Sequence, residues 1–124
     1  MLRKLVLLLA LLFAGPVAAD SGPYPKRDNV SRMTAEELHG ACNSPDDSMW
    51  RACISYIMGV VDADVVAMAN GYTPPAWHYC LPSAGDGFQL IAVVKKWLAD
   101  NPERLHYVAP ITITMAMIEA FPCP

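Results

Sequence analysis

Four cysteines constrain the fold of this 124-residue chain more than any other feature of its sequence. They are Cys42, Cys53, Cys80 and Cys123, at separations of 11, 27 and 43 residues. No Cys-x-x-Cys or Cys-x-x-Cys-His pattern occurs, so the spacing does not favour zinc or haem. An even number of cysteines in a small exported chain favours disulfides instead. The sequence therefore predicts two disulfides, no metal site and no cofactor.

The amino terminus indicates that the chain is exported. Arg3 and Lys4 precede an apolar run over residues 5–14, and the small residues Val17 and Ala19 mark a cleavage position. This order is typical of a secretory signal peptide, and 10 apolar residues fall short of the roughly 20 that a membrane-spanning helix needs. We predict a signal peptide over residues 1–19 and no membrane span in the mature protein.

The charge of the mature chain excludes one class of partner. Without Arg3 and Lys4, 7 basic residues remain against 12 acidic ones, a net charge of -5. Such a surface repels phosphate backbones and supplies no basic stripe, so we expect no nucleic-acid binding. It favours encounter with a basic protein partner.

Two helices are predicted in the first half of the mature chain, after a polar, flexible leader over residues 20–32. Thr34 and Glu37 have the spacing of a capping box, and a short helix should follow to about Ala41. A second helix should start with Ser44 or Ser48 as its cap. Its apolar residues recur at three- and four-residue steps until Asn70-Gly71 stops it: Ile54, Ile57, Met58, Val61, Val65 and Met68.

Small residues form a second stripe along that helix. Ser55, Gly59, Ala63 and Ala67 recur every four residues, which would leave a groove that another helix can approach closely.

Residues 72–82 form a proline-rich, aromatic segment, which we call the connector, and the helical pattern resumes after it. Asp86 should cap a helix that ends at Asn101-Pro102. Residues 110–121 combine strand-like alternation with helical spacing, and Pro110 in a first turn favours helix. The sequence therefore predicts an all-α fold, a small bundle of about four helices in a single domain over residues 33–124.

Four cysteines allow three pairings, which geometry ranks without deciding. Cys42 ends the first helix and Cys53 lies early in the second, so an antiparallel hairpin would bring them together. A bridge from Cys80 to Cys123 would then tie the connector to the chain end. We predict Cys42–Cys53 and Cys80–Cys123.

No set of side chains predicts catalysis. Asp62 and Asp64, two residues apart on a helix, point about 200° away from each other. Ser55 lies within a helix without a Gly-x-Ser-x-Gly elbow, and His39, His78 and His106 are scattered. Met115 and Met117 are expected in the core rather than at copper.

The connector is the best candidate for binding a partner. Tyr72, Trp77, His78 and Tyr79 are residue types that dominate binding interfaces, and prolines stiffen the chain that carries them. In the alternative interpretation, Trp77 and Tyr79 fold back and cover the helices.

An ordered set of short motifs over about residues 42–124 resembles the Rap/Tai-type immunity proteins of bacterial type VI secretion. The matching segments are residues 53–63, Cys80-Leu81-Pro82, Gln89-Leu90, residues 93–98, Asn101-Pro102-Glu103-Arg104 and Ala120-Phe121-Pro122-Cys123. The resemblance implies an all-helical periplasmic protein, often a homodimer, that binds a peptidoglycan amidase effector and blocks its active site without chemistry of its own. The alternative is a periplasmic structural or stress-related protein that binds unfolded clients or a lipid and has no toxin partner.

Overall fold

The structure, a computed structural model, describes residues 32–124. The predicted signal peptide (1–19) and all but the last residue of the predicted leader (20–32) lie outside this range. Within it the chain forms four α-helices and no β-strand, which confirms the predicted all-α fold. The helices are α1 (Ala35–Cys42), α2 (Asp47–Ala69), α3 (Gly87–Asp100) and α4 (Ala109–Ala120), and two short 3-10 turns lie at Pro75–Trp77 and Pro102–Arg104.

Helix α1 starts at the predicted capping box. The Glu37 amide donates to the Thr34 hydroxyl at 3.2 Å, and the Thr34 amide donates to the Glu37 carboxylate at 2.8 Å. Two amides that have no partner within the helix are thereby satisfied. Beside this cap, the Ala109 amide donates to the Met33 carbonyl at 2.8 Å, so the starts of α1 and α4 are joined.

The cap of α2 is Asp46, and the prediction of Ser44 or Ser48 was wrong. The Asp46 carboxylate accepts from the amides of Ser48 (2.8 Å) and Met49 (3.1 Å), which a single serine hydroxyl does less well. Hydrogen bonds from the Ser48 hydroxyl and from these two amides lower the pKa of Asp46. Ser44 instead accepts from the Asp46 amide at 3.1 Å, which fixes the turn before the helix.

The four helices share one hydrophobic core. Helix α2 contributes Ile57 and Val61 of the predicted apolar stripe together with Cys53, whereas Val65 of the same stripe is 42% exposed. Helix α4 is buried over most of its surface, including Thr112, whose hydroxyl donates to the Ala109 carbonyl at 2.9 Å. This bond satisfies a polar group inside the core, and the segment whose pattern left strand and helix open is a helix. The largest fully buried side chains are Leu38, Ile57, Leu98, Ile113 and Met117.

Both predicted disulfides are present. Cys42 and Cys53 join the end of α1 to the second turn of α2, with 5.1 Å between their Cα atoms, and both residues are 1% exposed. Cys80 and Cys123 join the connector to the carboxyl terminus, with 4.9 Å between their Cα atoms, and both are exposed.

The outer face of α2 is uncovered by the rest of the described chain and carries Gly59, Ala63 and Val66 beside the exposed Asp62. An 18-residue window of α2 has a mean hydropathy of 1.7, and 17% of that window is buried, so by length and composition the helix could cross a membrane. Its contribution to the core and the exposed Asp62, which would cost about 2.5 to 3.5 kcal/mol at a bilayer centre, assign it instead to the bundle. No other segment of residues 32–124 lies within 4 Å of where a Gly59 side chain would start, so the expected close helix contact is not made within this part of the chain.

Candidate partner-binding site

The connector leaves α2 through a glycine-dependent turn. Gly71 has a φ of 70°, in the left-handed region that glycine occupies without strain. The Gly71 amide donates to the Met68 carbonyl at 3.1 Å, and the Tyr72 amide donates to the Ala67 carbonyl at 2.9 Å. These two bonds are the Schellman motif, which satisfies the last carbonyls of a helix and fixes the direction in which the chain leaves it.

The middle of the connector is held by hydrogen bonds within itself. The amides of Trp77 and His78 donate to the carbonyls of Pro74 (2.9 Å) and Pro75 (3.0 Å), forming the short 3-10 turn. The His78 Nε2 lies 2.9 Å from the Thr73 carbonyl oxygen. Since a carbonyl only accepts, Nε2 carries the proton in this contact and donates it. The ring of His78 thus closes the loop across five residues.

The carboxyl end of the connector is anchored in the bundle by Tyr79, which is 4% exposed. Its hydroxyl donates to Asp64 of α2 over a long 3.4 Å, and the same carboxylate oxygen accepts from the Thr114 hydroxyl of α4 at 2.7 Å. Burial, followed by the charge of Asp64, raises the pKa of the Tyr79 hydroxyl, so it stays protonated as a donor. The Cys80 amide then donates to the Phe121 carbonyl at 2.8 Å, beside the disulfide to Cys123.

Because of these anchors, the four residues predicted to bind a partner differ in their exposure. Tyr72 is 80% exposed and Trp77 is 40% exposed, whereas His78 is half-buried and bonded to the connector itself. Tyr79 follows the alternative interpretation and folds back against the helices, because its ring fills the core and its hydroxyl reaches Asp64. The partner-binding role of Tyr72, Trp77 and His78 stays a prediction, and Tyr79 adds no open surface to it.

The stretch of sequence that contains the connector has exposed apolar side chains and no lysine or arginine. Of the eight large apolar side chains exposed among the described residues, five lie within residues 65–88: Val65, Val66, Tyr72, Trp77 and Phe88. No lysine or arginine occurs between Arg51 and Lys95, whereas three aspartates do. Val66 and Phe88 were not among the residues predicted to bind a partner, and their signal in the sequence is an apolar side chain beside a helix end.

The other candidate chemistry does not converge. Asp62 is exposed, while Asp64, two residues on, is turned into the contact with Thr114. No group of three or more histidines, cysteines or acids within residues 32–124 is arranged to hold a metal ion. A cleft of about 250 Å³ lies between α3 and α4, where the Trp97 indole donates to Glu119 at 2.8 Å, and it contains no nucleophile paired with a base.

Comparison with known proteins agrees with the resemblance in the motifs. A family model described as Rap1a immunity proteins matches residues 34–123, which include all four helices, the connector and both disulfides. No curated protein matches the chain. Because the matched region covers nearly all of the described residues, the chain belongs to the Rap1a immunity protein family.

Proposed function

We propose that this protein is a periplasmic immunity protein of type VI secretion that binds a peptidoglycan amidase effector and blocks its active site. Membership of the Rap1a family supports a role in immunity against a toxin effector. The signal peptide predicted over residues 1–19 supports action in the periplasm, where such an effector would meet its substrate. The protein acts by contact, as an inhibitor without catalytic activity of its own.

The connector carries this proposal, because it is an exposed loop with few conformations left to lose. Its start is fixed by the Schellman motif, its middle by His78, and its end by Tyr79 and Cys80. A loop ordered before binding avoids most of the conformational entropy that a flexible loop loses on association. Tyr72 and Trp77 then supply large rigid side chains for the entrance of an active-site cleft.

Charge supports a basic effector surface. The connector lies in a stretch of 43 residues, from 52 to 94, with three aspartates and no lysine or arginine. A basic rim around the effector's cleft would raise the association rate, and this gain would shrink as salt screens the charges.

We also propose that the protein forms a homodimer through the outer face of α2. This face carries Gly59, Ala63 and Val66 beside the exposed Asp62, and most of it is uncovered by the rest of the described chain. Burial of such a face against a second copy would remove it from water. Light scattering coupled to size exclusion should give twice the monomer mass, and Val66→Glu should return it to the monomer mass.

The decisive test is binding by connector variants. The effector used in the test is the one that co-purifies with this protein from periplasm, and a neighbouring open reading frame with a Cys/His amidase pattern would favour an amidase. Trp77→Ala should weaken binding at least about tenfold, because a buried aromatic anchor would be lost. Tyr107→Ala is the matched control, since Tyr107 is 39% exposed, close to the 40% of Trp77, but lies between α3 and α4. Unchanged affinity in both Trp77→Ala and Tyr72→Ala would reject the connector as the contact.

The exposed Val65 and Val66 of α2 favour one second candidate, a periplasmic protein that binds unfolded clients or a lipid. Under this second function an apolar dye should bind to the exposed face of α2, and the protein should suppress aggregation of a denatured client. Val66→Glu, which places a charge on this face, should abolish both effects under this second function. An immunity protein would show neither effect at the concentrations at which it binds its effector.

A further inference from the structure

We propose that the Cys80–Cys123 disulfide is a thiol–disulfide exchange site, at which a dithiol reductant releases the connector while the helical bundle stays folded. The effect on partner binding rests on the proposed function of the connector. The reduction and the release do not depend on it.

The two disulfides differ in their access to a reductant. Cys42 and Cys53 are each 1% exposed and lie within helices, so an attacking thiolate reaches them only after the helices open. Cys80 and Cys123 are exposed and lie outside any helix, in the connector and in the last residues of the chain. Exchange requires direct approach of a thiolate to a sulfur, so it is selective for the second bridge.

The exchange leaves the rest of the chain unaltered because no other cysteine is free. A thiolate of the reductant attacks one sulfur of the bridge, the S–S bond breaks, and the other cysteine leaves as a thiolate. The second thiol of the reductant then attacks the mixed disulfide, closes the reductant's own disulfide and releases the first cysteine. Two electrons and two protons pass to Cys80 and Cys123, and the dithiol is oxidised. All four cysteines of the chain are accounted for by two bridges, so reoxidation restores the same pair.

The bridge is the covalent link between the connector and the carboxyl terminus. Without it, the contacts there are the hydrogen bonds from the Cys80 amide to the Phe121 carbonyl and from the Tyr79 hydroxyl to Asp64, and the core packing of Tyr79, Leu81 and Phe121. Helix α4 ends at Ala120 and Phe121 packs against the core, so residues 122–124 lose their covalent tether to the connector when the bridge opens. The connector then gains conformations, and binding through it costs more entropy.

The experiment treats the oxidised protein with low concentrations of dithiothreitol and alkylates the free thiols at intervals. Peptide mapping should show Cys80 and Cys123 labelled at least about tenfold faster than Cys42 and Cys53. Far-ultraviolet circular dichroism should stay unchanged through this first phase. Limited chymotrypsin cleavage after Tyr72 and Trp77 should accelerate in the same phase.

The double variant Cys80→Ser with Cys123→Ser lacks the bridge and tests the release of the connector without any reductant. It should be cleaved in the connector as fast as the reduced protein, and dithiothreitol should not accelerate that cleavage further. Equal labelling of both disulfides, loss of helical signal together with the first labelling, or unchanged connector cleavage would each overturn the proposal. If Trp77→Ala leaves effector binding unchanged while the labelling order holds, the proposed contact fails and the exchange site stands.

Discussion

The two disulfides hold the two ends of the bundle in different ways. Cys42–Cys53 is buried, lies within helices and closes a separation of 11 residues. Cys80–Cys123 is exposed, joins two non-helical segments and closes a separation of 43 residues. The first bridge reinforces a helical hairpin that also packs through its core residues. The second ties the connector to the chain end, beside the hydrogen bonds and the packing of Tyr79 that also hold the connector.

The difference shows that stabilisation and protection from solvent need not coincide. In the loop-closure estimate a bridge stabilises by restricting the unfolded chain, and longer loops gain more. This gives about 3 kcal/mol for Cys42–Cys53 and about 4 kcal/mol for Cys80–Cys123. The bridge with the larger expected effect on the free energy of unfolding is therefore the one open to solvent.

The largest expected change in the free energy of unfolding comes from removing the exposed bridge. Replacing both Cys80 and Cys123 by serine should lower the free energy of unfolding by about 4 kcal/mol, because the unfolded chain regains the entropy of a long loop. Urea unfolding followed by circular dichroism measures the change.

The matched control replaces Cys42 and Cys53 by alanine, which keeps the buried site apolar. It should lose about 3 kcal/mol from loop closure, and amide exchange should accelerate in α1 and the start of α2. The Cys80 and Cys123 variant should instead accelerate exchange in the connector and after Phe121. Faster exchange in α1 in both variants would mean that the two ends are not independent.

The next largest expected change in the free energy of unfolding comes from Asp64, which accepts from Tyr79 at the carboxyl end of the connector. Asp64→Ala should lower the free energy of unfolding by about 1 to 3 kcal/mol, since it removes the acceptor that the buried Tyr79 and Thr114 hydroxyls share. Asp62→Ala, two residues away and exposed, should change it by less than about 0.5 kcal/mol. Chemical denaturation of both variants is the measurement, and equal effects would show that Asp64 does not act through these hydroxyls.

The same anchor predicts a dependence on alkaline pH. Burial raises the pKa of Tyr79 in the folded protein, whereas the unfolded chain ionises near its ordinary value of 10. Above that pH the unfolded state binds fewer protons than the folded state, so the free energy of unfolding falls as pH rises. The slope contributed by Tyr79 should reach about 1.4 kcal/mol per pH unit.

Tyr79→Phe is the comparison that isolates this slope, because Tyr56, whose pKa burial also raises, remains in both proteins. The difference in unfolding free energy between the two proteins should be constant below pH 9 and should narrow above about pH 10. A constant difference over the whole range would contradict an un-ionised Tyr79 in the folded state.

Local features of this fold were predictable from sequence. The capping box at Thr34, the stop at Asn70-Gly71 and the cap at Asp86 each involve residues within four positions of one another. The pairing of Cys42 with Cys53 followed from the expected hairpin of two adjacent helices. Each of these predictions needed a helical period and short-range hydrogen bonding, and nothing from distant parts of the chain.

The candidate site was less predictable because distant residues determine it. Thr114 lies 50 residues from Asp64, and no spacing in the sequence indicates that its hydroxyl meets that carboxylate. Tyr79 is buried because its ring packs in the core and its hydroxyl reaches Asp64, so the connector, for which exposure and folding back were both open, is divided between core and surface. At the start of α2, three residues able to cap compete within five positions, and the carboxylate of Asp46 prevails.

The smallest expected change in the free energy of unfolding comes from a substitution in α2 between Cys53 and Asp64. Gly59 lies six residues after Cys53 and five before Asp64, in an exposed helix interior with space for a side chain. Gly59→Ala should raise the free energy of unfolding by about 0.5 to 1 kcal/mol, because glycine loses more backbone entropy in a helix than alanine. Urea unfolding at low protein concentration, where a dimer would dissociate, is the measurement.

Gly71→Ala is the matched control, since Gly71 also has open space around it but has a φ of 70°. It should lower the free energy of unfolding by about 1 to 2 kcal/mol, because a Cβ is strained in the left-handed region. If Gly59→Ala is stabilising at low concentration and neutral or destabilising at high concentration, a second chain packs closely against Gly59. If it stabilises equally at both concentrations, the face around Gly59 stays open, and the proposed dimer through α2 is rejected.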